Sequence, residues 1–232
     1  MVNPNRLAYW TVIVGLFLAS LMGEAAAADL PKTYVAFYGG LTIPQSLKEG
    51  RALNVPTEIK LSDLDLAGSA IVGAKLGMFL PGRSGWLGME TEFFYTNPHV
   101  KQQDVTVTIP ALPFSSTAPF PGAHMRVATW AVNAIVRFSG ERFQPYIGVG
   151  PGVFWGRISG NDVNAVGNDF GTGSDTSLGL NALAGARFFV TKQLALFGEY
   201  KYNRATFDFG GNAQLHALYQ VQHFVGGLSL HF

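Results

Sequence analysis

Seven charged side chains stand inside stretches that are otherwise apolar or glycine-rich: Lys75, Glu90, Glu92, Arg137, Arg187, Glu199 and Lys201. Glu90 and Glu92 lie two residues apart, as do Glu199 and Lys201, so in an extended chain each pair falls on one face. Four bases against three acids is near balance. An unpaired charge in a confined interior is costly, so near balance points to ion pairs. The expected groupings are Glu90 and Glu92 with Lys75 and Arg137, and Glu199 and Lys201 with Arg187. Such a network could set ion selectivity or gate a pore. It could equally be a polar plug, and the plug is the favoured reading.

Other candidate motifs are weaker. "GVGPG" (148–152) has the look of a nucleotide-binding loop, but its glycines repeat with period two and no helix follows, so they are expected to make room for large neighbours. His223 and His231 share a face but are eight residues apart, too far to share a metal. Asp162, Asp169 and Asp175 sit in a Gly- and Asn-rich stretch (159–175) without a regular ligand spacing, so a solvated loop is expected there rather than a calcium site. No cofactor is called for.

The elements that must position the charges are strands. Eight runs alternate with period two: 33–41, 67–79, 85–95, 124–138, 144–158, 177–190, 193–205 and 218–232. "LPGRSG", "SGERF" and "TK" are tight turns. The other connections, 42–66, 96–123, 159–176 and 206–217, are long. Short and long alternate throughout, as an up-and-down antiparallel barrel with turns at one end and loops at the other requires. Within "VTVTIPALPFSSTAPFPG" (105–122), four prolines and two phenylalanines leave two readings open: a hydrophobic contact surface, or a sheet extension capped by prolines.

Face polarity separates a soluble barrel from a membrane one. Along 128–138, 178–190 and 194–202 one face is apolar throughout, while the other mixes Gly, polar residues and the seven charges. An eight-stranded interior only just holds its own side chains, so the apolar faces must look outward to lipid. Aromatic residues mark the expected edges of the membrane: Phe138, Phe188 and Phe232 at the turn end, and Tyr95, Trp130, Trp155, Tyr202 and Phe224 at the loop end. Eight residues separate Trp130 from Phe138 and Phe224 from Phe232, a rise of roughly 20 Å for a tilted strand.

Composition agrees. The chain has 28 Gly, 18 Phe, no Cys, 13% charged residues and a net charge of +1. Near-neutrality gives no footprint for nucleic acid. Residues 1–28 carry one early Arg, an apolar run and "EAAAADLP", the pattern of a cleaved secretory signal peptide. The domain organisation is therefore 1–28 signal peptide and 29–232 barrel.

"LALFGEYKYNRA" and the terminal "GGLSLHF" resemble the small eight-stranded outer-membrane β-barrel family that includes the OmpA transmembrane domain, OmpX and the opacity-type porin family. The resemblance implies an all-β, eight-stranded antiparallel transmembrane barrel in the bacterial outer membrane, with short periplasmic turns, long extracellular loops and periplasmic termini. It implies an assembly signal at Leu228, Leu230 and Phe232, read by the barrel-assembly machinery. Lipid and lipopolysaccharide are the implied surroundings, with an extracellular partner possible through 96–123. The expected role is structural or surface-interacting and not enzymatic. A narrow OmpW-like channel for small or hydrophobic solutes is the alternative, and a lipid A-modifying enzyme comes third.

Overall fold

The computed structural model describes residues 32–44, 48–52, 60–61, 65–80, 85–101, 103–109, 114–120, 122–138, 140–160, 172–210 and 215–232. The signal-peptide reading of 1–28 lies outside them, as do Asp162 and Asp169. Eight long strands carry the fold: β1 (Thr33–Pro44), β2 (Ser69–Phe79), β3 (Leu87–Thr96), β4 (Ala123–Arg137), β5 (Phe143–Gly160), β6 (Thr172–Phe189), β7 (Leu194–Phe209) and β8 (Leu215–His231). Each pairs antiparallel with its sequence neighbours, and β8 pairs with β1 to close the sheet into a barrel. No helix occurs among the described residues.

Register defines the barrel. From Thr33 the paired positions run Met78, Met89, Ala134, Val149, Ala182, Tyr202 and Gln222, and the circuit returns to β1 at Ile43, ten residues from its start. That stagger tilts the strands by about 40° and leaves an interior that side chains fill. The turns after β2, β4 and β6 are tight. Leu80 N donates to Leu87 O at 2.9 Å, Phe138 N to Pro145 O at 2.9 Å and Val190 N to Leu194 O at 2.9 Å.

The strands at the opposite end are longer than the sequence pattern suggested. β6 starts at Thr172, β7 runs to Phe209 and β8 begins at Leu215, so 172–176, 206–209 and 215–217, which were expected as loop, are barrel wall. Residues that break the apolar-outward pattern (Thr176, Thr206, Asp208) hid this extension. They remain strand because the interior side of the same segments is apolar. Gln103–Ile109 and Phe114–Phe120 are also sheet and pair antiparallel with each other. They join through Lys60–Leu61 and Lys48–Ala52 to the start of β8. The backbone therefore extends the sheet here, which leaves the contact-surface reading open.

Outward residues between the barrel's two ends are apolar and exposed, among them Phe37, Val72, Leu76, Met89, Ile147, Val149, Leu196 and Leu228. Trp86, Phe143, Phe188 and Phe232 form an exposed aromatic edge at the turn end, and Phe93, Tyr95, Trp130, Trp155, Tyr200 and Phe224 form another toward the loop end. Trp86 and Phe143 are members the sequence reading left out. Phe138 and Tyr202, which it included, are half-buried.

Candidate functional site: the sealed lumen

Inward positions alternate with lipid-facing ones, so each strand delivers its odd-numbered charged residues to the interior along β2, β4, β6 and β7 and its even-numbered ones along β3. All seven charges are buried, none more than 5% exposed. The Lys75 ammonium crosses the barrel. It donates to both carboxylate oxygens of Glu199, at 2.8 and 2.7 Å, and to Glu90 Oε1 at 3.1 Å, and it lies 3.7 Å from Glu92 Oε2. Lys201 donates to Glu92 Oε2 and to the Tyr38 hydroxyl, the latter at 3.1 Å. Every carboxylate also receives a tyrosine hydroxyl: Tyr34 donates to Glu90, Tyr38 to Glu92 at 3.0 Å and Tyr146 to Glu199 at 2.8 Å.

The tyrosines fit because each lies over a glycine of the adjacent strand. A Cβ at Gly77 would sit 2.2 Å from the Tyr34 ring, one at Gly73 2.5 Å from Tyr38 and one at Gly185 2.9 Å from Tyr146. The "GVGPG" glycines make comparable room. A Cβ at Gly148 would strike Ile135 at 2.3 Å, and one at Gly150 would strike the Val132 carbonyl oxygen at 1.8 Å.

The two arginines do not join the groupings expected of them. Arg187 reaches toward Glu90, Nη2 to Oε2 at 3.7 Å, rather than Glu199, and its guanidinium lies between the rings of Tyr34 and Tyr146 at 4.2 and 4.3 Å. Arg137 meets neither Glu90 nor Glu92. Those residues pair in register with Asn133 and Ala131, several residues up β4. Arg137 instead donates from Nε to the Gly85 carbonyl at 2.8 Å and stacks on Phe79 at 3.6 Å. At the same end His231 packs against Tyr34 and Phe189 and bonds Ser229.

Toward the loop end the charges give way to an amide ladder. Asn181 donates to Glu92 Oε1 at 2.7 Å and to Asn133 Oδ1 at 2.8 Å, and Asn203 donates to Asn181 Oδ1 at 2.6 Å. His223 bonds Asn203 at 2.8 Å and Thr42 at 2.9 Å, so it serves this ladder, apart from His231. Above it the interior is apolar: Met125, Val127, Phe154, Ile158, Phe207, Phe209, Leu215, Ala217 and Tyr219 form one buried cluster, joined by Leu66 and Val100 from the loops. Sequence reasoning missed this second plug and the three tyrosines. Tyr34 and Tyr38, four apart in β1 and alternating with Val35 and Phe37, carried the signal.

The arrangement supplies rigidity. Each carboxylate has at least one ammonium and one hydroxyl, which offsets the desolvation of charges in a narrow interior. No group of three or more metal-ligating side chains occurs among the described residues. On the outer wall His216 Nδ1 bonds Asp208 Oδ1, and Asp175 accepts from the Asp208 backbone N–H at 2.8 Å.

The family model described as the outer membrane protein beta-barrel domain matches residues 12–232. Among solved structures, the chain resembles Neisserial surface protein A, at 16% identity over 86% of this chain and 97% of that one, with a TM-score of 0.51. It also resembles the outer membrane protease OmpT of Escherichia coli, at 10% identity over 91% and 100%, TM-score 0.50. Ail, the attachment invasion locus protein of Yersinia pestis, aligns at 13% identity over 87% and 99%, TM-score 0.45. No curated protein sequence matches the chain. At these identities the likeness is one of fold, and a fold shared with a protease does not decide between enzyme and non-enzyme.

Proposed function

The chain belongs to the outer membrane protein β-barrel family and is integral to the bacterial outer membrane; from that premise we propose that it is a non-conducting barrel that acts through the surface at its loop end. The observation that carries this reading is the interior. Lys75 bridges Glu90 and Glu199 across the lumen, and a continuous apolar cluster stacks above the amide ladder. An ion entering from the turn end would have to displace a bonded ammonium, then pass a segment lined mainly by apolar side chains, with little to replace its hydration.

The loop end then faces the cell exterior. The paired strands 103–109 and 114–120 and the strands that tie them to β8 present a sheet extension there, suited to an extracellular partner. The final strand, with Leu228, Leu230 and Phe232 facing outward, is the segment offered to the barrel-assembly machinery. His216 and Asp208 sit on the outer wall as a hydrogen-bonded surface pair, and we read this surface as binding rather than catalytic. Planar-bilayer recording of the refolded chain tests the central point. It should give no discrete steps, whereas steps that persist in a Phe207→Trp variant, which enlarges the plug, would support the channel alternative.

A further inference from the structure

Arg126 on β4 and Arg157 on β5 are direct cross-strand partners, both facing outward and exposed. Like charges opposite one another destabilise a sheet pair. Neither arginine has a carboxylate partner among the described residues, and the nearby outward acid, Asp208 on β7, is engaged by His216. Immediately beneath them on the same outward face are Ala128 and Trp155, a directly paired couple at the aromatic edge. Two guanidiniums without a carboxylate partner among the described residues therefore stand one step above the lipid boundary.

Two hollows lie on this same flank. One, of about 330 Å³, is bounded by Arg157, Thr172, Gly173, Ser174 and Gly210, and offers a guanidinium and two hydroxyls. The other, of about 170 Å³, lies below the aromatic edge between Trp130 and Leu178, over Val132, Pro151, Gly152 and Val153, and is almost wholly apolar. Val153 and Arg157 are four residues apart on β5, so a polar basic hollow and an apolar groove follow one another down a single strand.

We propose that this flank is a binding site for one lipopolysaccharide molecule, with a lipid A phosphate between Arg126 and Arg157, its sugar hydroxyls in the Thr172–Ser174 hollow and an acyl chain in the Trp130–Leu178 groove. Arginine suits a phosphate because its planar fork donates two parallel hydrogen bonds. A phosphate between the pair removes their mutual repulsion, and the groove below accepts the chain that such a headgroup carries. The assignment rests on the loop end facing the outer leaflet, as proposed above.

The test measures binding of bis-phosphorylated lipid A, dephosphorylated lipid A, phosphatidylglycerol and inorganic phosphate to the refolded full chain in detergent micelles, by native mass spectrometry and by the shift in unfolding temperature. Bis-phosphorylated lipid A should bind about tenfold or more tightly than its dephosphorylated form. R126Q/R157Q should abolish that preference, while R126K/R157K keeps the charge and loses only part of it. Val153→Trp, which fills the groove, should weaken both lipid A forms equally. Phosphorylated lipid A bound as tightly by R126Q/R157Q as by the parent would overturn the site. Equal binding of phosphatidylglycerol or free phosphate would overturn the assignment to lipopolysaccharide. The orientation is read separately. The chain has no Cys, so Thr206→Cys, on the exposed outer wall of β7 and outside the proposed site, should react in intact cells with a membrane-impermeant maleimide. Failure of labelling with lipid binding intact would refute the orientation and with it the lipopolysaccharide assignment; labelling without binding would refute the site alone.

Discussion

The barrel is two barrels end to end, and their polarities are opposite. From the turn end up to Trp130 and Trp155 the outside is apolar and the inside is charged, with Val149 and Leu196 facing out and Lys75 and Glu199 facing in. Beyond that level Arg126, Arg157, Thr176, Thr206 and Asp208 face out, while Met125, Phe154, Ile158 and Phe207 face in. The strands run through the change without a break: in β7 a single period-two alternation spans Leu194–Phe209. What switches is the solvent outside. In lipid the wall must be apolar and leaves the interior to polar groups; in water the wall is polar and the interior closes by hydrophobic burial. Two packings of different chemistry fill one interior.

The sharpest way to break this comparison is to remove the keystone of the charged half. Lys75→Met leaves Glu90 and Glu199 without their ammonium and should cost about 3–5 kcal/mol in denaturant unfolding of the micelle-embedded barrel. Adding Glu199→Gln should recover part of that loss; no recovery would mean the pair is not coupled. Next is the same substitution on the two outer walls. Val149→Arg, midway between the aromatic edges, should cost about 2–4 kcal/mol, whereas Thr206→Arg above them should stay within about 0.5 kcal/mol. Equal costs would place the membrane boundary elsewhere.

Glycines extend the contrast. A Cβ at Gly156 would meet the Phe207 ring at 2.8 Å, so Gly156→Ala should cost about 1–3 kcal/mol by overpacking the apolar plug. Gly198, on the lipid face, has nothing within 4 Å of its would-be Cβ, and Gly198→Ala should change the unfolding midpoint hardly at all. A small effect on stability is expected at Phe232 as well. Its ring is 64% exposed and its backbone, not its side chain, bonds Thr33. Phe232→Ala should shift stability by about 0.5 kcal/mol while lowering the amount of barrel assembled in cells, read from heat-modifiable mobility in outer-membrane fractions. Normal assembly would remove Phe232 from the signal.

Much of the membrane half was legible because alternation there is nearly pure. Even-numbered apolar residues along 128–138 and 178–190 identify the lipid face, and by subtraction the seven charges must point inward. Who pairs with whom was not legible. Arg137 lies on the same face of β4 as Asn133, but partners across a barrel depend on stagger, and a ten-residue shear carries Glu90 to Asn133 and leaves Arg137 beside Gly85 and Phe79. The outer half was obscured for a related reason. In "ATFDF" the outward positions turn polar, which reads as loop when polarity alone is used, although the period of two continues.

By itself the sequence determined that the chain makes eight tilted strands with one lipid-facing side, because lipid tolerates no unpaired backbone and the alternation that satisfies it is local to each strand. It likewise determined that seven charges lie inside. Only the closed tertiary structure decided that Lys75 spans to Glu199, that three tyrosines settle over three glycines, and that Arg126 meets Arg157 on the outer wall. Those contacts join residues from different strands, and their distances are set by shear and closure, which no single strand encodes.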